Sequence, residues 1–313
     1  MSRHARTPSL FLYIALVGAL LCAPGIARSA TPAETLLQLE ALTGLKATFN
    51  EAESVFRVTR PRSDVEVHVD RWRMPPFMGL TTWAAFAPAA RGNVMLAGDF
   101  VLLEDEVNPV MSVLLDGGVE ITALHNHFFF DRPRIMFMHV GGEGRMEAMA
   151  PVLRAALAEI DTIRARRPGT PEDFGDTPPS TTNAISGPAI AAILGHAGQS
   201  KDGMYKVVIG RSIAMGCGCK VGSEMGVNTW AAFAGTDDDA LVDGDFAVLE
   251  SELQPVLRAL RHGDISIVAI HHHMTGETPR MLFLHYWGRG TATALAGTLR
   301  GALDLQQSTE EAR

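Results

Sequence analysis

Two groups of three histidines recur in this chain at the same spacing, which is typical of metal ligands. The groups are His125, His127 and His139, and His271, His273 and His285. Side chains two residues apart in a strand share one face and lie about 6–7 Å apart. The third histidine of each group comes from the next predicted strand. Three neutral imidazoles suit zinc, copper, nickel or iron, with one position open for water or substrate, and zinc or copper fits best.

The same histidines also allow two other interpretations. They can form a ligand-binding or catalytic cluster without metal, or a hydrogen-bonded network that only supports the fold. The sequence leaves all three open.

Four glutamates are the acidic candidates for these sites, in pairs where a predicted strand meets a helix: Glu104 and Glu106, and Glu250 and Glu252. Such a carboxylate can complete a metal site, or it can orient a metal-bound imidazole by accepting a hydrogen bond from its other ring nitrogen. It can also simply favour a helix N-terminus. We expect structural roles for other residues that recur in both halves of the chain. We expect a turn or strand-edge role for Asp99 and Asp245, and core positions for Trp83, Trp230, Phe86 and Phe233.

Two cysteines, Cys217 and Cys219, occur only in the second half of the chain. They are candidates for soft-metal ligands, for an internal disulfide, or for free or intermolecular thiols. One residue separates them, so an internal disulfide would close a very small loop.

The chain contains one unit twice. Residues 98–144 match residues 244–290 without a gap, with 20 identities in 47 positions. The segment Met78–Ala87 returns as Met225–Ala234. We predict a signal peptide over 1–29, a first unit over 31–165, a Pro/Gly-rich linker over 166–183 and a second unit over 184–313.

Within each unit, short turns join consecutive predicted strands, which favours antiparallel pairing. Helices are predicted before and after the strands, one of them with Pro109 in its first turn. The fold class is therefore α+β, with two tandem homologous units that are each an antiparallel sheet with packed helices. Strict alternation places Ile121 and His125 on one face of their strand.

Composition and the N-terminus bear on compartment and partners. Hydrophobic residues make up 47% and charged residues 20%, and the formal charge is −8 without a basic stripe. Disorder and nucleic-acid binding are therefore excluded. Arg3 and Arg6 precede an apolar run that ends at Pro24-Gly25, as in a secretory signal. We expect an exported, periplasmic or extracellular protein with no transmembrane span after cleavage, and a metal ion or small molecule as its partner.

The duplicated Thr-Trp-Ala-Ala-Phe, Gly-Asp-Phe-x-x-Leu-Glu, His-x-His and Phe-x-His segments resemble the LppY/LpqO-type family. Its members are exported bacterial proteins built on a domain of unknown function, and some mycobacterial members are lipoproteins. The resemblance implies export and a tandem architecture, and it implies no activity. This chain departs from the lipoprotein members at Leu21-Cys22.

Three functional hypotheses follow. The first is an exported metal carrier or metalloenzyme that uses the histidine groups. The second is a non-catalytic, pseudo-symmetric binding module of the cell envelope. The third is a thiol redox protein that uses Cys217 and Cys219.

Overall fold

The structure is a computed structural model that describes residues 30–169, 173–174 and 177–306. The predicted signal peptide lies outside these residues, and so does part of the predicted linker. The described residues from Pro32 onward belong to one unit that contains both repeats. Among them, no helix combines the length and the apolar character needed to cross a bilayer.

Each repeat supplies three helices and nine strands within the described residues. In the first they are α1 (Pro32–Thr43), β1 (Ala47–Asn50), β2 (Val55–Pro61), β3 (His68–Val69), β4 (Trp72–Arg73), β5 (Thr81–Pro88), β6 (Val94–Leu103), α2 (Glu104–Asp116), β7 (Glu120–Asn126), β8 (Asp131–Arg132), β9 (Ile135–Gly144) and α3 (Met146–Arg166). In the second they are α4 (Gly187–Leu194), β10 (Gly198–Lys201), β11 (Met204–Gly210), β12 (Ile213–Met215), β13 (Lys220–Val221), β14 (Asn228–Gly235), β15 (Ala240–Leu249), α5 (Leu253–His262), β16 (Ser266–His271), β17 (Glu277–Thr278), β18 (Met281–Gly290) and α6 (Ala292–Leu303).

Both repeats contribute to one antiparallel sheet of twelve strands. Its order is β1-β2-β5-β6-β9-β7-β16-β18-β15-β14-β11-β10. Each strand of the first repeat and its equivalent in the second therefore lie at the same distance from the centre of the sheet. The repeats join in the middle, where β7 and β16 run antiparallel and bridge at Leu124 and Ile270. The predicted α+β class with tandem antiparallel units is confirmed.

The helices pack on one face of this sheet and bury the main core. Leu39, Val110 and Leu153 of the first repeat share this core with Val256 and Leu299 of the second. On the other face, two smaller apolar clusters lie near the ends of the inner strands. Two three-stranded sheets, β4-β3-β8 and β13-β12-β17, are formed by the segments that connect these strands.

The helix that was predicted to start near Pro109 begins earlier. α2 starts at Glu104, and Pro109 lies inside it. The carboxylate of Glu106 accepts a hydrogen bond from the Leu103 N–H at 2.8 Å, which satisfies a donor at the helix start. The strand β6 therefore passes directly into α2.

Candidate metal centre

A β-bulge in β7 turns His125 away from the helices. The pairing of β7 with β9 shifts between Ile121 and Ala123. Ile121 and Leu124 therefore both reach the helix-side core, although they are three residues apart. His125 follows Leu124 and points to the opposite, open face of the sheet. The prediction that Ile121 and His125 share a face is wrong, because the extra residue at the bulge breaks the period of two.

The second repeat has the same bulge in β16. Its pairing with β18 shifts between Ile267 and Ala269, and Ile267 and Ile270 are both part of the helix-side core. His271 therefore lies on the open face, as His125 does. Both histidine groups are on the same side of the continuous sheet.

In the second repeat, two histidines and an aspartate come together on this face. Asp245 of β15 pairs directly with His285 of β18, and His271 of β16 lies diagonally next to His285, with ring centroids 4.8 Å apart. One ligand atom from each of Asp245, His271 and His285 lies within 4.8 Å of the others. Two imidazoles and one carboxylate are a donor set that zinc and iron both accept.

Two buried atoms of this cluster have no hydrogen-bond partner. They are Oδ1 of Asp245 and Nε2 of His271. A buried polar atom without a partner costs free energy of about 1–3 kcal/mol. A cation bound at the cluster would satisfy both atoms at once.

His273 brings a fourth possible metal ligand close to Asp245. Its Nε2 lies 3.2 Å from Oδ2 of Asp245, and its ring stacks on Phe283 at 3.5 Å between centroids. Its Nδ1 lies 3.1 Å from the carbonyl oxygen of Gly226. Because a carbonyl oxygen only accepts, Nδ1 must carry the proton, and in the neutral ring Nε2 then presents a lone pair to Asp245.

The contact between His273 and Asp245 is favourable in two ways: Nε2 carries a second proton and donates to the carboxylate, or a metal ion lies between the two atoms. Two lone pairs 3.2 Å apart repel each other unless a second proton or a metal ion lies between them. Ligand atoms around tetrahedral zinc are about 3.3 Å apart, given Zn–N bonds of about 2.0–2.1 Å. His285 is oriented in the same way, since its Nδ1 lies 3.3 Å from the Gly244 oxygen. When one ring nitrogen donates a hydrogen bond in this way, the orientation and tautomer of the imidazole are fixed so that the other nitrogen can bind a metal.

The first repeat places the equivalent residues on the equivalent strands, but among the described residues only the second-repeat group has its ligand atoms within 4.8 Å of one another. Asp99 of β6 pairs with His139 of β9, and the rings of His125 and His139 stack with centroids 5.1 Å apart. His127 packs on Phe137, and its Nε2 lies 3.2 Å from Nε2 of His125. Oδ1 of Asp99 is buried and unpartnered, like its counterpart Asp245.

Burial lowers the pKa of several of these imidazoles, which favours their neutral form. It lowers the pKa of His125, and the neighbouring His139 lowers it further against the opposing effect of Asp99. Burial also lowers the pKa of His127, with smaller contributions from His125 and His139. For His271, burial lowers the pKa more than Asp245 raises it. Neutral imidazole is the form that binds metal.

The glutamates predicted as acidic ligands lie outside the histidine clusters. Glu106 is fully buried and pairs with Arg62 at 2.6 Å. Glu252 pairs with Arg211 at the same distance and accepts from the Leu249 N–H. The glutamates that precede them are exposed: Glu104 is the first residue of α2, and Glu250 lies in the short 3-10 turn just before α5. These four carboxylates therefore belong to the strand-to-helix junctions.

The acidic residues of the clusters are instead Asp99 and Asp245, which the sequence analysis assigned to a turn or a strand edge. The structure corrects that interpretation, because each aspartate is buried within a long strand and paired with a histidine. Their recurrence in Gly-Asp-Phe was a usable signal, but it does not reveal the strand on the other side.

Cys217 and Cys219 form a disulfide with each other. Of the three interpretations that the sequence allows, the internal disulfide is the one observed. Sulfur atoms bonded to each other offer no thiolate, so the two cysteines are not metal ligands in this structure.

Of the four aromatic residues that were predicted to lie in the core, only the two phenylalanines do. Phe86 and Phe233 are fully buried in the core, as predicted. Trp83 and Trp230 are half-buried on the open face and pair across strands with Asp99 and Asp245. Their predicted core role is therefore wrong. A cation covers each ring, with the Arg57 guanidinium 4.5 Å from the Trp83 centroid and the Lys206 ammonium 4.2 Å from that of Trp230.

Comparison with known proteins identifies a family but no activity. No curated protein matches the chain. Among solved structures, the chain is similar to a trimeric bacterial microcompartment shell protein, PduB, with 11% sequence identity and a TM-score of 0.19 over 83% of this chain and 89% of that one. A TM-score this low carries no conclusion about fold or assembly. Residues 38–159 and 188–305 each match the same family, so the chain belongs to the family described as Domain of Unknown Function (DUF1259).

Proposed function

We propose that the chain is a metal-binding protein that holds one divalent transition-metal ion in each repeat. The observation that carries the proposal is the convergence of Asp245, His271 and His285, whose ligand atoms lie within 4.8 Å of one another on the open face of the sheet. In the first repeat, Asp99, His125 and His139 occupy the equivalent strand positions. His273 and His127 are the fourth donors.

Zinc fits this donor set best. The described donors are nitrogen and oxygen atoms, and the disulfide removes the sulfur ligands that favour Cu(I). Three protein ligands around zinc leave a fourth position for water or another ligand. Such a site serves either a metal carrier or a metalloenzyme that activates water.

We further propose that the protein is exported and acts in the periplasm or outside the cell. The apolar segment behind Arg3 and Arg6 supports this location. The duplicated motifs support a place among the LppY/LpqO-type proteins.

Elemental analysis of protein purified from the periplasm tests the metal proposal. The wild type is expected to carry about two ions per chain, one for each repeat. Asp245→Asn and His271→Ala should each lower this by about one ion. His272→Ala is the matched control, because His272 bonds to the Met281 carbonyl and not to the cluster.

Thermal unfolding provides an independent measurement. A metal that binds only the folded state stabilises it, so chelation should lower the Tm of the wild type. A metal-free protein whose Tm is unchanged by chelator would overturn the proposal and favour the non-catalytic binding module. Equal metal loss in His272→Ala and His271→Ala would also contradict it.

A further inference from the structure

We propose that the two metal sites lie side by side on the open face of the sheet and together bind a single ligand that carries two anionic, metal-coordinating groups. This inference rests on the proposed function, because it needs a metal in both repeats. It adds a ligand class: an extended dianion, such as a linear dicarboxylate, that crosses the junction between the repeats.

The register at the centre of the sheet places the two clusters side by side. β7 and β16 run antiparallel through the Leu124–Ile270 bridge. Extending this register by one residue places His271 opposite Ala123. Ala123 in turn pairs with His139 of β9. His139 and His271 therefore lie in one row across the sheet, with only an alanine between them.

A second row has the same composition in the opposite direction. Continuing the register the other way places His125 opposite Ala269, and Ala269 pairs with His285 of β18. In both rows the two histidines are two strands apart. The middle histidines of the two groups, His139 of β9 and His285 of β18, are three strands apart. At a strand spacing of about 4.8 Å, the centres of the clusters are therefore separated by about 14 Å.

The floor between the clusters is made of small side chains. Ala123 and Ala269 are both partly exposed on the open face. An alanine does not rise above the neighbouring imidazoles, so no large side chain stands between His139 and His271 in one row or between His125 and His285 in the other. A ligand can therefore lie along the sheet and reach both sites.

The charges on this face favour an anion. A divalent ion bound by neutral imidazoles and one aspartate keeps a net charge of about +1. Further out on the same face, Arg57 lies over Trp83 and Lys206 over Trp230. With a metal ion bound in each repeat, positive charge would occur at both sites and at both outer ends of this face. The exposed carboxylate of Asp243 lies two strands from Lys206 on the same face.

Calorimetric titration of zinc-loaded full chain tests the inference. The probes are linear dicarboxylates of increasing length and the monocarboxylates with the same chains. At the length that spans about 14 Å, the separation of the cluster centres, we expect one dicarboxylate per chain to bind at least about tenfold more tightly than two separate monocarboxylates, because the second contact is intramolecular. Metal analysis after gel filtration checks that the probe has not removed the ions.

A single-site variant supplies the control. His125→Ala/His139→Ala removes the first-repeat site and leaves Asp245, His271 and His285 in place. The advantage of the dicarboxylate should then fall to the monocarboxylate level. Two bound metals with no dicarboxylate advantage at any length would overturn the inference and leave the proposed function intact. Absence of bound metal would instead overturn both.

Discussion

The side-chain amide of Asn108 binds both backbone polar groups of Ile267, which belongs to the other repeat. It accepts from the Ile267 N–H at 2.7 Å and donates to the Ile267 oxygen at 3.2 Å. The equivalent Gln254 forms the same two bonds with Ile121. Both isoleucines lie at the bulges next to the junction of the repeats. Each amide thus takes the place that the peptide group of a neighbouring strand would occupy.

Asn108→Leu should therefore destabilise the whole unit. The substitution leaves the N–H and the oxygen of Ile267 buried and unpaired, at a cost on the order of 3 kcal/mol. Urea denaturation at neutral pH measures the free energy of unfolding. Gln254→Leu is the matched variant, and its effect should be smaller because Gln254 is only partly buried. A loss below about 0.5 kcal/mol in Asn108→Leu would contradict this role.

Asp99→Asn should stabilise the metal-free protein and weaken its metal binding. Burial raises the pKa of Asp99, against the opposing effect of His139 and His125. A carboxyl group whose pKa is raised on folding is harder to deprotonate in the folded state than in the unfolded state. It therefore lowers the free energy of unfolding as the pH rises above its unfolded pKa towards its folded pKa. At pH 7 the amide avoids this cost, so the Tm of the metal-free variant should exceed that of the wild type.

The pH dependence provides the check for Asp99. Below the unfolded pKa, near 3.9, the carboxyl group is protonated in both states and its contribution no longer differs. The Tm difference between variant and wild type should therefore shrink as the pH falls. A difference that is constant with pH, or a lower Tm at pH 7, would show that burial of the charge is not the cause.

Arg62→Met should be strongly destabilising. Arg62 and Glu106 are 2% and 0% exposed, so the variant leaves a carboxylate buried without its main partner. Breaking a buried ion pair from one side costs about 3–5 kcal/mol. Arg164 also contacts Glu106, so we expect the lower end of that range in urea denaturation. Arg62→Met/Glu106→Leu should recover part of the loss, and a double variant as unstable as the single one would refute this explanation.

Cys217→Ser/Cys219→Ser should keep the wild-type metal content. The two sulfur atoms are bonded to each other in the structure and have no role in either cluster. Elemental analysis of the double variant, beside His271→Ala, measures this directly. Loss of about one ion per chain in the double variant would restore the cysteines as ligands.

The sequence predicted that the histidines of each hairpin lie near one another, because the spacing of His-x-His and of the following strand is local. The groups around His125 and His271 do converge, and the hairpins have the register that this requires. The short turns between consecutive strands predicted the α+β class correctly, and the duplication predicted the two tandem units. Each of these inferences depends on residues within one hairpin or on the comparison of two similar segments.

The errors concern relations between distant strands. Asp245 meets His285 only because β15 lies beside β18, and no local pattern reports that neighbour. Glu106 resembled a ligand because it is acidic and recurs, but its partner Arg62 is far away in the chain. The bulge between Ile121 and Ala123 inserts one residue without a distinctive sequence, which reverses the face of everything that follows.

Equivalent strands of the two repeats occur in the same order from either edge of the sheet, and this symmetry has an evolutionary consequence. A single unit that paired with a second copy of itself through β7 would build the same twelve-stranded arrangement, with twofold symmetry. Fusion of two such genes therefore requires no new contact surface. After fusion, the halves are free to diverge within one polypeptide, and the disulfide present in the second half alone records that divergence.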